Sequence, residues 1–236
     1  MDGYILSLKK VFGDHADPVT AAGQKSYMKE RFAFFGIKTP LRREIQKPFL
    51  EKKSLPPKEE LPGIVKSLWA EEQREFQYFG QELVSKYSRQ TEMKDIELYE
   101  YMITHKSWWD TVDFISVRLV GDYFRFFPDR RNLMTEKWIA SGDLWLQRSA
   151  LLFQLKYKEK LDKEFLSYVI RSLLGNEEFF INKAIGWVLR EYSKTDPDWV
   201  AEFVAETSLN KLSRKEALRL LEKMPGEQAE ELNRKL

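Results

Sequence analysis

Phe180–Tyr192 (FINKAIGWVLREY) is one of four segments that follow one another at an interval of 35 residues. The other three are Glu75–Tyr87 (EFQYFGQELVSKY), Asp110–Asp122 (DTVDFISVRLVGD) and Trp145–Tyr157 (WLQRSALLFQLKY). Each segment has the apolar spacing of an amphipathic helix, and a second helical pattern follows each one. A fixed period of this length is typical of a solenoid of stacked helix pairs, because one pair cannot bury its apolar face alone. We therefore predict an all-α solenoid.

Polar residues of different charge occupy one position of this repeat. The fourth residue of each segment, in chain order, is Tyr78, Asp113, Arg148 and Lys183. Equivalent positions of a solenoid point the same way, so an acid, a guanidinium and an ammonium are expected on one surface. Trp109 lies one helical turn before Asp113, and Trp187 lies one turn after Lys183. We interpret Tyr78 as a packing residue.

This set of side chains suits a cationic sugar intermediate that is flanked by phosphates. Indole faces attract positive charge, and a carboxylate can stabilise an oxocarbenium-like centre or orient a water molecule. Arginine binds phosphate in a bidentate fork, whereas lysine acts as a point charge. A base that already carries a positive charge leaves as a neutral molecule and needs no general acid. One carboxylate is then sufficient.

Each of these residues also has an ordinary structural interpretation. Asp113 alone is typical of a helix cap or a solvated charge, and Trp187 alone is typical of a core residue. Arg148 alone could be a surface ion-pair partner of little energetic value. Neighbouring positions are predicted to be core, namely Phe114, Val117, Val120, Leu151, Phe153, Ile185 and Val188. The lysines of the segment from Lys156 to Lys160 alone would mark a solvated helix end.

The composition excludes several kinds of site and location. The 236 residues include no cysteine and two histidines, so we expect no disulfide, no metal site and no cofactor. The net charge is +2, so a basic surface could arise only from sorting of charges between faces. No stretch approaches about 18 consecutive apolar residues, and the N-terminus lacks a secretory signal. We expect a soluble, cytoplasmic protein without membrane contact, and a monomer is the simplest assembly.

The repeat predicts one continuous domain over residues 1–236, because each unit of a solenoid contacts its neighbours. Residues 1–60 are predicted to form capping helices, residues 61–224 the repeats, and residues 225–236 a C-terminal tail. The clearest interruption before the repeats is Pro56-Pro57. Gly36 is predicted to end a helix that passes through Tyr27 and Phe32. About twelve helices of usual length are expected.

Three long strings resemble the AlkD family of bacterial alkylpurine DNA glycosylases. They are KSWWDTVD (Lys106–Asp113), WLQRSALLFQLKYK (Trp145–Lys158) and EFFINKAIGWVLREYSKTDPD (Glu178–Asp198). The resemblance extends over nearly the whole chain, including YMKERFAFFGIKTPLRR (Tyr27–Arg43). It implies a right-handed solenoid of HEAT-like helix pairs whose concave groove holds duplex DNA. It also implies hydrolysis of the N-glycosidic bond of N3- and N7-alkylated purines, without a pocket for an extruded base.

The resemblance implies a role for each matching residue. Asp113 would be the catalytic carboxylate, Trp109 and Trp187 would hold the deoxyribose at the lesion, and Arg148 would hold the adjacent backbone. The DNA-binding residues would be Tyr27, Lys38, Lys156, Lys158 and Lys183. Lys38 departs from the glutamine expected in the best-known relatives, and it could add a phosphate contact.

The sequence thus predicts a monofunctional DNA glycosylase that uses water as nucleophile on positively charged alkylpurines in double-stranded DNA. A lyase role for Lys183 is disfavoured, since an exposed lysine is normally protonated. Two alternatives stay open. One is an inactive protein of the same fold that binds damaged or branched DNA, and the other is a solenoid scaffold for an acidic protein partner.

Overall fold

The computed structural model describes residues 2–223, and these residues form an all-α fold, as the repeat predicts. Fourteen α-helices occur in this range, together with short 3-10 turns and one π-helical segment. The only β-type pairing within the same range is an isolated bridge between Ala33 and Gln73. The chain divides into two compact units, of which the first ends at Lys106 and the second begins at Ser107.

The first unit contains six helices around an aromatic core. They are α1 (Asp2–Asp14), α2 (Pro18–Tyr27), α3 (Thr39–Gln46), α4 (Leu61–Ala70), α5 (Arg74–Ser85) and α6 (Asp95–Thr104). Phe12 of α1 is fully buried, and its ring centroid lies 5.7 Å from that of Phe76 and 6.5 Å from that of Phe79 in α5. The amphipathic segment that begins at Glu75 therefore forms the apolar floor on which the N-terminal helix packs.

Gly36 does not end the helix that contains Tyr27, so this prediction is wrong. Helix α2 ends at Tyr27, because Lys29 and Glu30 adopt left-handed backbone angles with φ of 58° and 61°. Gly36 instead lies in the following loop with φ of 91°, where an added Cβ would overlap the carbonyl oxygen of Asp17. The glycine permits this close approach of two backbone segments.

Glu75 fixes the same loop from inside the first unit. Its carboxylate accepts hydrogen bonds from the backbone amides of Phe35, Gly36 and Ile37 at 3.1, 3.0 and 3.2 Å. Burial raises the pKa of the Glu75 carboxyl, whereas the amide donors act in the opposite direction. This carboxylate is a structural anchor for the loop.

The second unit is a stack of helix pairs. Its helices are α7 (Trp109–Phe114), α8 (Gly121–Phe126), α9 (Arg131–Ala140), α10 (Leu144–Leu152), α11 (Lys163–Ser172), α12 (Phe179–Tyr192), α13 (Pro197–Glu206) and α14 (Lys211–Leu218). A π-helical segment, Ile115–Val120, joins α7 to α8. Helices α7, α10, α12 and α14 pack side by side in chain order, and α9, α11 and α13 pack against this row. This is the arrangement of a solenoid.

The helix caps of the second unit include aspartates at which the sequence predicts that helices begin. The Asp143 side chain accepts from the amides of Trp145 and Leu146 at the start of α10, and Asp162 and Asp196 cap α11 and α13. Capping of this kind satisfies amide donors that have no partner within the helix. The caps fix where each helix of the row begins, and hence the register of the side chains on it.

A close contact joins the last two helices of the row. An added Cβ at Gly186 of α12 would lie 2.5 Å from the Cβ of Glu216 and 2.8 Å from the carbonyl oxygen of Ser213, both in α14. Glycine therefore lets the backbones of α12 and α14 approach closely.

The proposed domain limits are only partly within the described residues. Helix α4 begins at Leu61, where the repeats were predicted to start. The predicted tail of residues 225–236 lies outside the described residues. The single continuous domain, the handedness of the solenoid and its groove stay predictions. Within residues 2–223, no helix combines the length and the apolar character needed to cross a membrane.

Candidate functional site

Asp113 and Arg148 form a bidentate ion pair between neighbouring helices of the row. Arg148 Nε donates to Asp113 Oδ1 at 2.7 Å, and Arg148 Nη2 donates to Asp113 Oδ2 at 2.9 Å. The Arg148 side chain is 4% exposed and the Asp113 side chain is 17% exposed. The guanidinium is therefore inside the protein, while part of the carboxylate reaches its surface.

The third nitrogen of Arg148 is bound by the next helix. Nη1 donates to the carbonyl oxygen of Phe180 at 2.5 Å, at the start of α12. All three guanidinium nitrogens thus have acceptors, which fixes the orientation of the group. The ion pair links α7, α10 and α12 through one side chain.

An aromatic cluster lies at the same ends of these three helices. The ring centroids of Trp108, Trp145 and Phe180 are separated by 5.6 Å, 4.9 Å and 5.1 Å for the three pairs. Trp108 directly precedes Trp109, and Phe180 supplies the carbonyl that Arg148 binds. The cluster supports the backbone from which Trp109 and Asp113 project.

The environment of Asp113 changes its proton affinity. Burial raises the pKa of the Asp113 carboxyl above its ordinary value, and the negative charge of Asp110 acts in the same direction. The hydrogen bonds and the positive charge of Arg148 lower this pKa and so offset part of the effect. The result is an ionisable carboxylate that binds a proton more readily than an exposed aspartate does.

The two predicted indoles are both half-buried. Trp109 is the first residue of α7, one helical turn before Asp113. Trp187 lies in α12, the helix that binds Arg148 through Phe180, and it follows Lys183 by one turn. The structure thus joins Asp113 directly to Arg148, with Trp109 on the same helix and Trp187 two helices along the row.

The predicted core positions are largely buried. Fully or almost fully buried are Val120, Leu151, Phe153, Ile185 and Val188, each at 2% exposure or less. Phe114 and Val117 are half-buried instead. Both lie on the exposed side of the helix that carries Asp113, so they border the site.

The predicted lysines differ in their partners. Lys156 bonds to Glu191 at 2.7 Å, and Lys183 bonds to Glu216 at 2.5 Å. Lys158 is exposed and has a left-handed backbone with φ of 52°. The carboxylate partners reduce the positive charge that Lys156 and Lys183 present to an anion.

Partial burial also changes the pKa of Lys183. Desolvation lowers the pKa of the Lys183 ammonium, and the guanidinium groups of Arg190 and Arg219 act in the same direction. The hydrogen bond to the carboxylate of Glu216 favours the charged form.

Tyr27 and Lys38 belong to the first unit. Tyr27 ends α2 and is 69% exposed, which is unusual for an aromatic side chain. Lys38 is exposed and directly precedes α3, and its charge lowers the pKa of the Asp17 carboxyl after the larger effects of the Thr20 and Val19 hydrogen bonds. Both side chains are open to solvent, so the DNA contact predicted for each stays a prediction.

Sequence reasoning missed the partners within the site. It assigned Asp113 and Arg148 to the same surface but did not pair them, and the structure buries the guanidinium against the carboxylate. The contact of Arg148 with the DNA backbone stays a prediction. The signal was available, because opposite charges at the same repeat position face each other across adjacent helices. The carboxylate of Glu216 could not be predicted from the repeat, since α14 does not keep the 35-residue interval. The bond to Phe180 uses a backbone carbonyl, which the pattern of side chains does not indicate.

A metal centre was not expected, and the described residues contain no group of three or more His, Asp or Glu side chains placed to hold a metal ion.

Comparison with known proteins identifies the family. The family described as "DNA alkylation repair enzyme" matches residues 8–221. A solved structure described as "Predicted DNA alkylation repair enzyme from Enterococcus faecalis" is 32% identical, with a TM-score of 0.82 over 89% of this chain and 98% of that chain. No curated protein matches the sequence. The match over nearly the whole chain, in sequence and in fold, means that this protein belongs to the family of DNA alkylation repair enzymes.

Proposed function

We propose that this protein is a monofunctional DNA glycosylase that hydrolyses the N-glycosidic bond of positively charged N3- and N7-alkylpurines in duplex DNA. Its membership of a DNA alkylation repair family supports a DNA substrate and a role in repair. The finer assignment rests on the arrangement around Asp113. Neither a metal nor an organic cofactor is part of the proposed reaction.

The bidentate pair of Asp113 and Arg148 carries the proposal. A carboxylate at 17% exposure is accessible to a sugar at the surface, and the guanidinium holds both of its oxygens in fixed positions. Fixed negative charge stabilises a developing oxocarbenium ion without reorganisation at the moment of reaction. The half-buried indoles of Trp109 and Trp187 add faces that attract the same positive charge.

The reaction needs little else, because the substrate is already activated. The bond between C1′ and the base nitrogen breaks, and its electron pair neutralises the positive charge of the alkylated base. A water oxygen then bonds to C1′, and the water proton passes to Asp113 or to solvent. The raised pKa of the Asp113 carboxyl suits it to accept that proton.

Arg148 acts, in this proposal, as a positioning residue. Its three nitrogens are bound to Asp113 and to the Phe180 carbonyl, so a direct bond to a DNA phosphate would require exchange of one of these partners. Backbone contacts would then come from Tyr27, Lys38, Lys156, Lys158 and Lys183.

Release of 7-methylguanine from alkylated duplex DNA tests the assignment. The Asp113→Asn variant should bind the duplex with wild-type affinity and lose most of its excision rate. Asp110→Asn is the matched control, since Asp110 lies on the same helix and is also half-buried. It should lower the pKa of Asp113 and leave that carboxylate charged, so excision at neutral pH should persist. Equal excision by wild type and Asp113→Asn would overturn the catalytic assignment.

A binding protein without chemistry is the second candidate, and the ion pair itself favours it. A carboxylate whose two oxygens are both bound by a guanidinium resembles a structural link between helices. Under this alternative the wild-type protein binds alkylated or branched duplexes and releases no base. The scaffold alternative predicts instead that affinity for duplex DNA is negligible and insensitive to salt.

A further inference from the structure

A basic cavity lies beside α8, which continues from α7 through the π-helical segment. It is a cavity of about 620 Å³ in the second unit. Its lining consists of Phe124, Arg125, Pro128, Arg131, Tyr157 and Lys160. Three cations and no carboxylate line it, which is unusual in a chain with a net charge of only +2.

Two of the three cations are held in place by aromatic rings. The guanidinium carbon of Arg125 lies 4.3 Å from the ring centroid of Tyr157, and that of Arg131 lies 4.0 Å from the centroid of Phe165. Stacking fixes the plane of a guanidinium and hence the direction of its donors. Such donors lose little conformational entropy when they bind an anion.

The three cations still have N–H donors available for an anion. Arg125 bonds to Asp122 at 3.2 Å through Nη1, and Arg131 contacts Asp162 at 2.9 Å through Nη1. Neither carboxylate is among the lining residues, and each is 38% exposed. The ammonium group of Lys160 makes no hydrogen bond or ion pair to any residue between 2 and 223.

A neighbouring cavity offers a useful contrast. It has a volume of about 290 Å³ and contains Lys156, Lys158 and Lys194, but also Glu159 and Glu191. Glu191 bonds to Lys156 at 2.7 Å and to Lys194 at 2.5 Å, so two of its three ammonium groups are neutralised. The larger cavity also has two paired cations, Arg125 and Arg131, but their carboxylate partners are not among its lining residues. An anion in the larger cavity therefore meets no carboxylate, whereas Glu159 and Glu191 line the smaller one.

The π-helical segment turns this cavity toward the same side as Asp113. Twelve residues separate Asp113 from Arg125, and in an undistorted α-helix they would lie about 120° apart around the axis. A π-turn holds one extra residue, which reduces the separation to about 20°. Burial agrees, because Asp113, Val117 and Arg125 are all non-buried at a four-residue interval, and the position between the last two is a glycine without a side chain. Three turns of an α-helix hold about eleven residues, and the extra residue of the π-turn brings this number to twelve.

The distance between the two sites follows from helix geometry. With one residue absorbed by the π-turn, the remaining eleven steps rise about 16 Å along the axis. Successive phosphates of one DNA strand are about 3.4 Å apart along the duplex, so for a duplex that lies along this helix the rise corresponds to about five nucleotides.

We propose that the cavity lined by Arg125, Arg131 and Lys160 binds backbone phosphate of the DNA strand about five nucleotides from the lesion. The inference rests on the proposed function, because it takes Asp113 as the point at which the lesion is held. The site adds affinity that is independent of sequence, and it sets the length of duplex that the protein needs.

Salt dependence of binding to an unmodified duplex tests the site without any excision. Lys160→Gln is the first variant, since the Lys160 side chain makes no hydrogen bond or ion pair to the described residues whose loss would disturb folding. Its slope of log affinity against log salt should be shallower by about 0.9, the value for one lost phosphate contact. Arg125→Gln should act alike, whereas Arg171→Gln, which removes an exposed arginine stacked 5.4 Å over Phe203, should not. Slopes equal to wild type in both Lys160→Gln and Arg125→Gln would overturn the proposal.

Cross-linking measures the position of the phosphate. The chain has no cysteine, so Lys160→Cys carries a single thiol. Duplexes with a central abasic-site analogue and one thiol-bearing phosphate at increasing distances from it should form a disulfide most readily at about five nucleotides. A maximum within two nucleotides of the analogue would contradict the geometry.

The two assignments fail separately. Shallower salt slopes together with no excised base would retain the phosphate site and reject the glycosylase. Displacement of a probe from Lys160→Cys by millimolar inorganic phosphate, with wild-type salt slopes in Lys160→Gln, would indicate a site for small anions and reject the DNA contact.

Discussion

Two ion pairs of nearly identical burial occur in the two units of this protein. In the first unit, Arg42 and Glu82 have side-chain exposures of 5% and 16%, and in the second unit Arg148 and Asp113 have 4% and 17%. Each pair joins neighbouring helices, α3 to α5 and α10 to α7. Burial and pairing alone therefore do not distinguish a functional carboxylate from a structural one.

The surroundings of the two pairs differ. Glu82 also accepts from Gln46 at 2.6 Å, and Gln46 in turn accepts from Arg42 at 3.0 Å, so the three side chains form a closed network. The Arg42 guanidinium further lies 5.1 Å from the ring centroid of Tyr78. Within the described residues, no side chain other than Arg148 bonds to the Asp113 carboxylate. Each carboxylate thus accepts two hydrogen bonds, but those of Glu82 come from two residues and those of Asp113 come from Arg148 alone. Trp109, one helical turn before Asp113, is half-buried.

The largest expected effect separates these two carboxylates. Asp113→Asn should reduce single-turnover excision of 7-methylguanine by about 100-fold or more, because it removes the charge that faces the sugar. Glu82→Gln should keep excision within about 3-fold of wild type. Both variants leave a buried guanidinium without its ionic partner, so each should lose about 1–3 kcal/mol of unfolding free energy in urea.

The stability measurement is the control for this comparison. Similar losses of stability with different losses of excision would assign chemistry to Asp113 and structure to Glu82. An equal loss of excision in both variants would mean that the pair in the second unit is only a structural link.

A second comparison changes the guanidinium and keeps its charge. Arg148→Lys removes the bidentate geometry, so excision should fall by about 10-fold through poorer orientation of Asp113. Arg42→Lys, the equivalent change in the first unit, should lower stability and leave the excision rate of the folded protein unchanged. A wild-type rate in Arg148→Lys would remove the positioning role.

The pH dependence gives a smaller effect with a defined sign. Burial raises the pKa of the Asp113 carboxyl, and the reaction needs its ionised form. Excision should therefore decline as pH falls through this raised pKa, at a higher pH than for an exposed aspartate. In Arg148→Lys the weaker partner should move the decline to still higher pH, as single-turnover rates from about pH 4 to 8 would show. Rates are to be corrected for spontaneous base loss, and an unchanged midpoint would contradict the proposed contact.

The smallest effect is expected for Lys183. Desolvation and the charges of Arg190 and Arg219 lower the pKa of Lys183, but its amino group is bound to Glu216, so attack on the sugar would first require loss of this contact. Lys183→Gln should change excision by less than about 3-fold, the order expected for one phosphate contact. Borohydride added during turnover should trap no covalent complex of protein and DNA, and a trapped complex that depends on Lys183 would indicate a lyase.

Much of the fold could be predicted, because the spacing of the apolar residues repeats every 35 residues. The four segments at the 35-residue interval all form helices, and the caps at Asp162 and Asp196 begin helices where expected. The end of α2 could not be predicted, since Lys29 and Glu30 adopt left-handed angles that no local signal requires. The loop that follows is held by Glu75 from a distant part of the sequence.

The site was predictable in its members and less so in their contacts. The repeat placed Asp113 and Arg148 at equivalent positions, and the family resemblance supplied their roles. It could not supply the burial of Arg148, which depends on the approach of α10 to α7 and α12. The π-helical segment could not be predicted either. One additional residue in a turn changes the side of the helix on which Arg125 lies, but it does not change the apolar content of the segment.

The aromatic cluster of Trp108, Trp145 and Phe180 has a consequence for how the second unit comes apart. Repeat proteins often fray from one end, since each repeat contacts only its neighbours. Here Trp108, the residue before the first helix of the row, also contacts Phe180 of the third helix, with ring centroids 4.9 Å apart, so loss of any one ring exposes the others. These helices should consequently melt as one block, with a single transition in tryptophan emission and similar amide exchange rates across α7, α10 and α12.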